Sequence, residues 1–383
     1  FIGGYTNYAL DESTRQANDL LLTEASLTTL VPKLEMPDRD PLDLIESQNC
    51  FMATSAVDIN RNPTIITITT IPLSDPSAFA STCYLGNSET MYMTPQSLFL
   101  ATTQNQYTIL APDALVYDPE HRTAIHKFSI ADSGVSYSGS GEVRGHLGWS
   151  EDKRSFRMGA GGEDDNYLNV VTSIGDTWGS TSSTRLTVLK WVGNQLETVD
   201  FIDGIGKPGE RLFAARFVEN RAYLVTFRVI DPLYVIDLSD QENPAIAGEL
   251  EIEGYSDYLH PVGENLLLGF GKDAIADDGS SDFGFTRGAW YQGVKVSLFD
   301  VSDPASPAEI NSLVYGKRGS ESEILSDHHA ISFLPATGNN RARFRFKSMK
   351  PHRTSRASIP ARPMPGTRLP ARGSIHSKWM SQA

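Results

Sequence analysis

The chain has 383 residues, 40 % of them hydrophobic and 21 % charged, and 33 basic against 47 acidic side chains leave a formal net charge of −14. That length can bury a core without a disulfide scaffold. No apolar run approaches the roughly 18 residues of a spanning helix, and the acidic balance disfavours a nucleic-acid surface over most of the chain.

Phe1-Ile2-Gly3-Gly4 opens the chain with neither an initiator Met nor a charged n-region and apolar h-region. It reads as a fragment or a processed chain, so the lack of a leader says nothing about compartment. Residues 1–30 form an N-terminal segment, partly helical or irregular. Within it Thr14, Asp19, Leu20, Leu21, Leu22 and Leu27 give 11–30 a short, weakly amphipathic helical pattern. Cys50 and Cys83 follow. Either they are bonded, closing a loop of ~33 residues, or they are independent buried thiols near strands.

From Val31 onward the period is 2 or the run is continuously β-branched. Strands are expected at Thr64–Ile71, Ser97–Ala101, Arg185–Val192, Arg221–Phe227, Leu233–Leu238, Asn265–Phe270 and Val294–Val301, with Gly, Asn, Asp and Pro clusters between them. Many short, regularly spaced strands mean a sandwich, a barrel or a propeller. A repeat chooses among these. Tyr234-Val235-Ile236-Asp237-Leu238-Ser239-Asp240 with Pro244 returns as Ser297-Leu298-Phe299-Asp300-Val301-Ser302-Asp303 with Pro307, at an offset of 63. Gly209-Glu210-Arg211-Leu212, Ser256-Asp257-Tyr258-Leu259 and Ser322-Glu323-Ile324-Leu325 share a second pattern. Units of roughly 45 to 65 residues suit four-stranded blades with loop insertions. The fold expected over 31–340 is therefore an all-β propeller of about six to eight four-stranded blades. Each repeated Asp has a structural use, capping the turn after a buried strand through its carboxylate.

The end of the chain departs from this. From Arg341 to Ala383 there are 8 Arg, 3 Lys, five prolines and no acidic residue. The 340 residues before it hold the other 22 basic side chains against all 47 acidic ones, a net of −25. Because the composition flips within a few residues in mid-pattern, a shifted reading frame is the leading explanation. A disordered extension and a basic arm for nucleic acid or anionic lipid follow. On the first reading the propeller is incomplete at its C-terminus.

The repeated segments resemble a known family. Residues 209–271, including Gly209-Glu210-Arg211-Leu212-Phe213, Tyr234-Val235-Ile236-Asp237-Leu238-Ser239-Asp240 and Tyr255-Ser256-Asp257-Tyr258-Leu259-His260-Pro261, resemble the secreted β-propeller domain family of bacteria and archaea, distantly related to WD-40 repeats. Gly141-Glu142-Val143-Arg144-Gly145-His146-Leu147, Gly293 to Pro304 and Glu321 to His328 are similar to it as well, so the resemblance covers roughly 45–335. It implies a propeller in a secreted or cell-envelope protein, and it carries over no catalytic residues.

The residues that could do chemistry are few. His260 and Asp327-His328-His329 occupy comparable places in successive units. They form either a metal or acid–base cluster on one rim, or strand-edge histidines hydrogen-bonded to Asp257 and Asp327. The second reading is the plainer. Asp273, Asp277, Asp278 and Asp282 make an oxygen-rich loop that could attract Ca2+, although the spacing is not that of an EF-hand; Glu163, Asp164 and Asp165 are similar. Gly204-Ile205-Gly206-Lys207-Pro208-Gly209 matches the dinucleotide pattern G-x-G-x-x-G, with Asp231 at a suitable distance for a ribose. Pro208 removes a phosphate-binding N–H, however, and the next segment belongs to the β repeat, so a turn between blades is expected. No other cofactor is implied. The expected function is a non-catalytic extracytoplasmic scaffold that binds a protein, peptide or glycan through rim loops, with exposed aromatics such as Trp178, Trp290 and Tyr291 as markers. The rival is a hydrolase or metal-dependent enzyme at the channel mouth, using His260 and His328. A nucleic-acid partner is expected only if the basic tail is genuine.

Overall fold

A computed structural model describes residues 11–26, 29, 31–35, 40–46, 49–52, 64–104, 107–111, 114–117, 121–175, 182–227, 231–276, 289–334 and 341–347. It divides into two compact units, Phe1–Asn87 with Phe128–Tyr137, and Ser88–Lys127 with Ser138–Ala383. Among the described residues no helix is long and apolar enough to cross a membrane.

In the first unit, helix α1 (Glu12–Glu24) starts where the Asp11 carboxylate accepts the Thr14 N–H at 2.8 Å, satisfying one of the amides that a helix N-terminus leaves free. Strands β1 (Lys33–Leu34) and β2 (Leu42–Asp43) form a short antiparallel ladder. Strands β3 (Cys50–Met52), β4 (Thr64–Thr70) and β5 (Ala80–Gly86) form a sheet in the order β3-β5-β4. In the parallel β3–β5 pair Cys50 faces Cys83 with 4.4 Å between Cα atoms, and the two sulfurs are bonded. Phe51 stacks on Tyr137 at 5.0 Å, and Tyr84 meets the edge of Phe128 at 6.4 Å.

Among the described residues the second unit shows four successive four-stranded blades. The first comprises β6 (Thr90–Met93), β7 (Ser97–Gln104), β10 (Arg122–Ala131) and β11 (Gly134–Arg144), with a hairpin of β8 (Tyr107–Ala111) and β9 (Ala114–Tyr117) between β7 and β10. The tip of its last hairpin, 128–137, belongs to the first unit. Helix α2 (Glu151–Arg154) runs into a 3-10 turn, Ser155–Arg157, and then into β12 (Met158–Gly161), β13 (Tyr167–Ile174), β14 (Ser183–Val192) and β15 (Gln195–Ile205). The third blade is β16 (Arg211–Val218), β17 (Arg221–Phe227), β18 (Asp231–Asp237) and β19 (Ala245–Ile252). The fourth is β20 (Tyr255–Val262), β21 (Leu266–Ala276), β22 (Ala289–Asp300) and β23 (Ala308–Tyr315). A two-residue parallel pairing, Ser140↔Gln195 and Gly141↔Leu196, joins the outer strands β11 and β15. There a Cβ on Gly141 would collide with the Leu196 carbonyl, so the outer strands meet where one side chain is missing.

The blades stack through the period-2 alternation of their middle strands. On β17, Leu224 turns toward a core shared with Val171, Leu186 and Val188 of the second blade. Its neighbours Tyr223 and Val225 turn the other way, to Leu259, Leu267 and Phe299 of the fourth. Strands buried on both faces need continuous apolar runs, and this explains why β17 and β18 read as unbroken hydrophobic segments.

The repeated turns superimpose bond for bond. Asp237 accepts the Ser239 N–H at 2.9 Å and Asp300 accepts the Ser302 N–H at 2.9 Å. One step on, Leu238 N–H reaches the Asn220 carbonyl at 2.8 Å and Val301 N–H reaches that of Asn265 at 2.8 Å. The 204–209 glycine motif links β15 to β16 and is followed by a strand, as the turn reading requires.

After the fourth blade come β24 (Glu321–Ser322), two 3-10 turns (Glu323–Leu325 and His328–Ala330), β25 (Ser332–Leu334), β26 (Arg341–Arg343) and β27 (Phe346–Lys347). β24 pairs with β27 and β25 with β26. Strand pairing thus continues past the change of composition at Arg341. Ala342 and Phe344 are buried against Phe270, Val296 and Leu298 of the fourth blade. The tail from residue 348 lies outside the described residues.

Candidate functional site

The third and fourth blades meet through their first strands, β16 lying against β20. Arg216 and His260 hold the same station on these strands. Each lies two residues before the last ladder pair, with Arg216 opposite Tyr223 and His260 opposite Leu268. Five residues before that last pair each strand carries a bulge, at Phe213 in β16 and at Asp257 in β20.

A cluster forms at this level. The Arg216 guanidinium lies over the Phe156 ring at 4.9 Å. Phe156, from the turn before β12, meets the His328 ring edge-on at 4.8 Å and Tyr258 at 5.7 Å. Tyr258 Oη and His260 Nδ1 share a hydrogen bond of 3.0 Å, and the His260 ring packs on Phe333 at 4.9 Å. Chain positions from 156 to 333 thus converge because each blade presents its first strand or its leading turn to the same place.

Electrostatics set these groups apart. Burial, followed by the nearby Arg216 charge, pushes the His260 pKa down. Burial and His329 push His328 down more strongly than Asp152 and Asp327 raise it. Both imidazoles are therefore neutral hydrogen-bonding groups near pH 7. Arg216 is different. Among the described residues its side chain makes no hydrogen bond and no ion pair, and its Nε is sealed from solvent without an acceptor. Other buried cations of the unit are matched. Lys127 Nζ donates to the Asp165 carbonyl at 2.8 Å, Lys272 to Glu321 at 2.7 Å, and Lys295 to the Glu253 carbonyl at 2.7 Å. A guanidinium offers five donors, so one without acceptors is a place for a ligand's oxygens.

The sequence-derived candidates are only partly brought together. His260 and His328 both join the cluster. Asp257 does not: its bulge directs the carboxylate to Lys153 of α2, with which it forms an ion pair and a hydrogen bond. Burial holds the Asp257 pKa above its ordinary value, and Lys153 acts against that. The expected Asp257–His260 bond is replaced by the one to Tyr258. Asp327 accepts the His329 N–H at 2.9 Å and starts the 3-10 turn, with His329 exposed beside it. Ligand atoms of Asp327, His328 and His329 lie within 4.8 Å of one another, so this trio could hold a metal ion. Of the calcium candidates, Asp273 is half-buried on β21, while Asp277, Asp278 and Asp282 lie outside the described residues, as does Trp178. Asp165, from the other acidic group, is engaged by the Thr94 hydroxyl. Trp290 carries the Arg318 guanidinium at 4.3 Å, and Tyr291 packs on Tyr255 at 5.1 Å.

Arg216 and Phe156 escaped the sequence reading. For Arg216 a signal existed. The turns Glu219-Asn220 and Gly263-Glu264-Asn265 align, and stepping back along each strand sets Arg216 beside His260. Phe156 lies in a non-repeating turn and gave none.

Known proteins agree with this architecture. An uncharacterized protein of Methanocaldococcus jannaschii is 38 % identical over 205 residues, 51 % of this chain and 28 % of the relative. An uncharacterized protein of Archaeoglobus fulgidus is 40 % identical over 193 residues, 48 % of this chain and 26 % of the relative. The matched stretch therefore spans little more than a quarter of either relative. One family profile, described as beta propeller domain, matches residues 5–359, nearly the whole sequence. The chain belongs to the beta propeller domain family.

Proposed function

We propose that this propeller is a non-catalytic binding domain acting outside the cytoplasm, and that its ligand is a protein, peptide or glycan received at the Arg216–His260–His328 cluster. The observation that carries the reading is the Arg216 guanidinium, aligned on an aromatic ring and left without an acceptor. Stacked blades make the support rigid, and a preorganised group gives affinity because little is lost in ordering it. The bonded Cys50–Cys83 pair supports an oxidising compartment. Hydrolytic chemistry finds less support. A histidine base is ordinarily oriented by a carboxylate, whereas the Nδ1 of His260 is taken by Tyr258.

The test is a thermal-shift screen of the full chain against soluble peptides and oligosaccharides, run beside Arg216→Gln. The expected result is a ligand that stabilises the parent protein and leaves the variant's melting unchanged. Turnover of any of these compounds that is lost in His260→Ala or His328→Ala would overturn the reading in favour of an enzyme.

A further inference from the structure

We propose that the group received at Arg216 is the terminal carboxylate of a peptide chain ending in an apolar residue. This rests on the binding-domain reading above and narrows it to one chemistry.

Three observations converge on it. First, the vacant donors belong to a guanidinium. Its fork matches the two oxygens of a planar carboxylate, and its place over the Phe156 ring, 4.9 Å from the centroid, restrains it. The side chain remains partly exposed, so an acceptor can approach from solvent. Second, the cluster supplies a single full positive charge. One positive charge suits a monoanion better than a phosphate dianion. Asp327, which starts the turn that carries His328, adds a negative charge nearby and disfavours a dianion further. Third, the remaining walls are rings: Phe156, Tyr258 and Phe333. The Tyr258 hydroxyl is already bonded to His260, so among the described residues, beside Arg216, the unpartnered buried polar atom of the cluster is His328 Nδ1, which is little for the several hydroxyls of a sugar. An apolar side chain next to a carboxylate fits such walls, and capture of chain termini is a recurring mode of peptide recognition.

The experiment uses N-terminally labelled pentapeptides ending in Phe, Leu or Val, each as the free acid and as the C-terminal amide. Fluorescence anisotropy with the full chain reads their binding. At least one free acid is expected to bind saturably, and its amide to bind roughly tenfold to hundredfold more weakly, the range for a charge-assisted pair. Arg216→Gln should weaken the acid by the same factor and leave the amide unchanged. Arg216→Lys, which keeps the charge and loses the fork, should fall between. Arg122→Gln, at an exposed pair with Glu142, serves as a control and should bind like the parent. The acid–amide comparison uses the parent protein, so it stands even if a variant unfolds. Equal binding of acid and amide overturns the proposal, and so does the absence of any saturable peptide. If a glucuronate-terminated oligosaccharide binds through Arg216 and the peptides do not, this inference fails while the binding-domain reading survives. Turnover of the probes would remove both.

Discussion

Asp237 and Asp300 show how a single carboxylate can set a repeat. Each terminates a buried strand and holds the next turn by accepting one backbone N–H, and that bond keeps the carboxyl below its ordinary pKa. A depressed carboxyl contributes stability above its unfolded pKa and loses it as pH falls through the folded value. Asp300→Ala is expected to cost about 1 kcal/mol in urea unfolding at pH 7, and the difference from the parent should shrink in acid. Lys153 and Asp257 behave oppositely. Both are nearly buried, so Lys153→Met strands a carboxylate and should cost roughly 3–5 kcal/mol at neutral pH. Burial already raises the Asp257 pKa, and losing Lys153 raises it further. The cost relative to the parent must therefore grow as pH rises above the parent's own raised Asp257 pKa and ease as pH falls below it. Urea midpoints across pH 4.5 to 7.5 check the sign; a pH-independent loss would mean that Asp257 is not the group left unpaired. The two sites also differ in legibility. The Asp300 turn is local, and its role could be read from five consecutive residues. The Lys153–Asp257 pair spans 104 positions, and no local pattern announces it.

Strands were legible wherever their periodicity was strong. Arg221–Phe227 was expected with the bounds that β17 has, because a strand packed on both faces must be apolar throughout. Short strands at the margins carry too few side chains to show a period, and β24 to β27 are of this kind. Around them composition and structure point in different directions. The change at Arg341 marks the basic stretch as foreign, yet β26 pairs with β25, and Phe344 lies 5.3 Å from Phe270 in the outer core of the fourth blade. A buried phenylalanine replaced by alanine costs about 3–5 kcal/mol. Phe344→Ala is expected to lower the melting temperature accordingly. An unchanged melting curve would show that the stretch after Asn340 is not part of the fold.

At the scale of the whole molecule, the Cys50–Cys83 bond lies wholly within the first unit. Closing a loop of ~33 residues stabilises by about 3–4 kcal/mol on the chain-entropy view. Reduction with dithiothreitol is therefore expected to lower the unfolding transition of that unit and leave that of the second unit in place. Calorimetry would show two separated transitions, and a single transition shifted as a whole would mean that the units unfold together. Legibility at this scale was uneven. The propeller could be read from its repeats, whereas the way one station on successive first strands sets Arg216 beside His260, with His328 arriving from a 3-10 turn, depends on strand register and on a distant turn. Charge has a consequence of its own at this scale. The first 340 residues carry a net of −25, and the guanidinium of Arg216 has no counter-charge bonded to it. An anion approaching from afar meets repulsion before it meets attraction. Added salt should therefore speed its arrival by screening the first and hasten its departure by weakening the second. For a binding domain of the kind proposed, that net charge would act as a kinetic filter, turning polyanions away and admitting ligands that carry a lone negative charge on an otherwise neutral body.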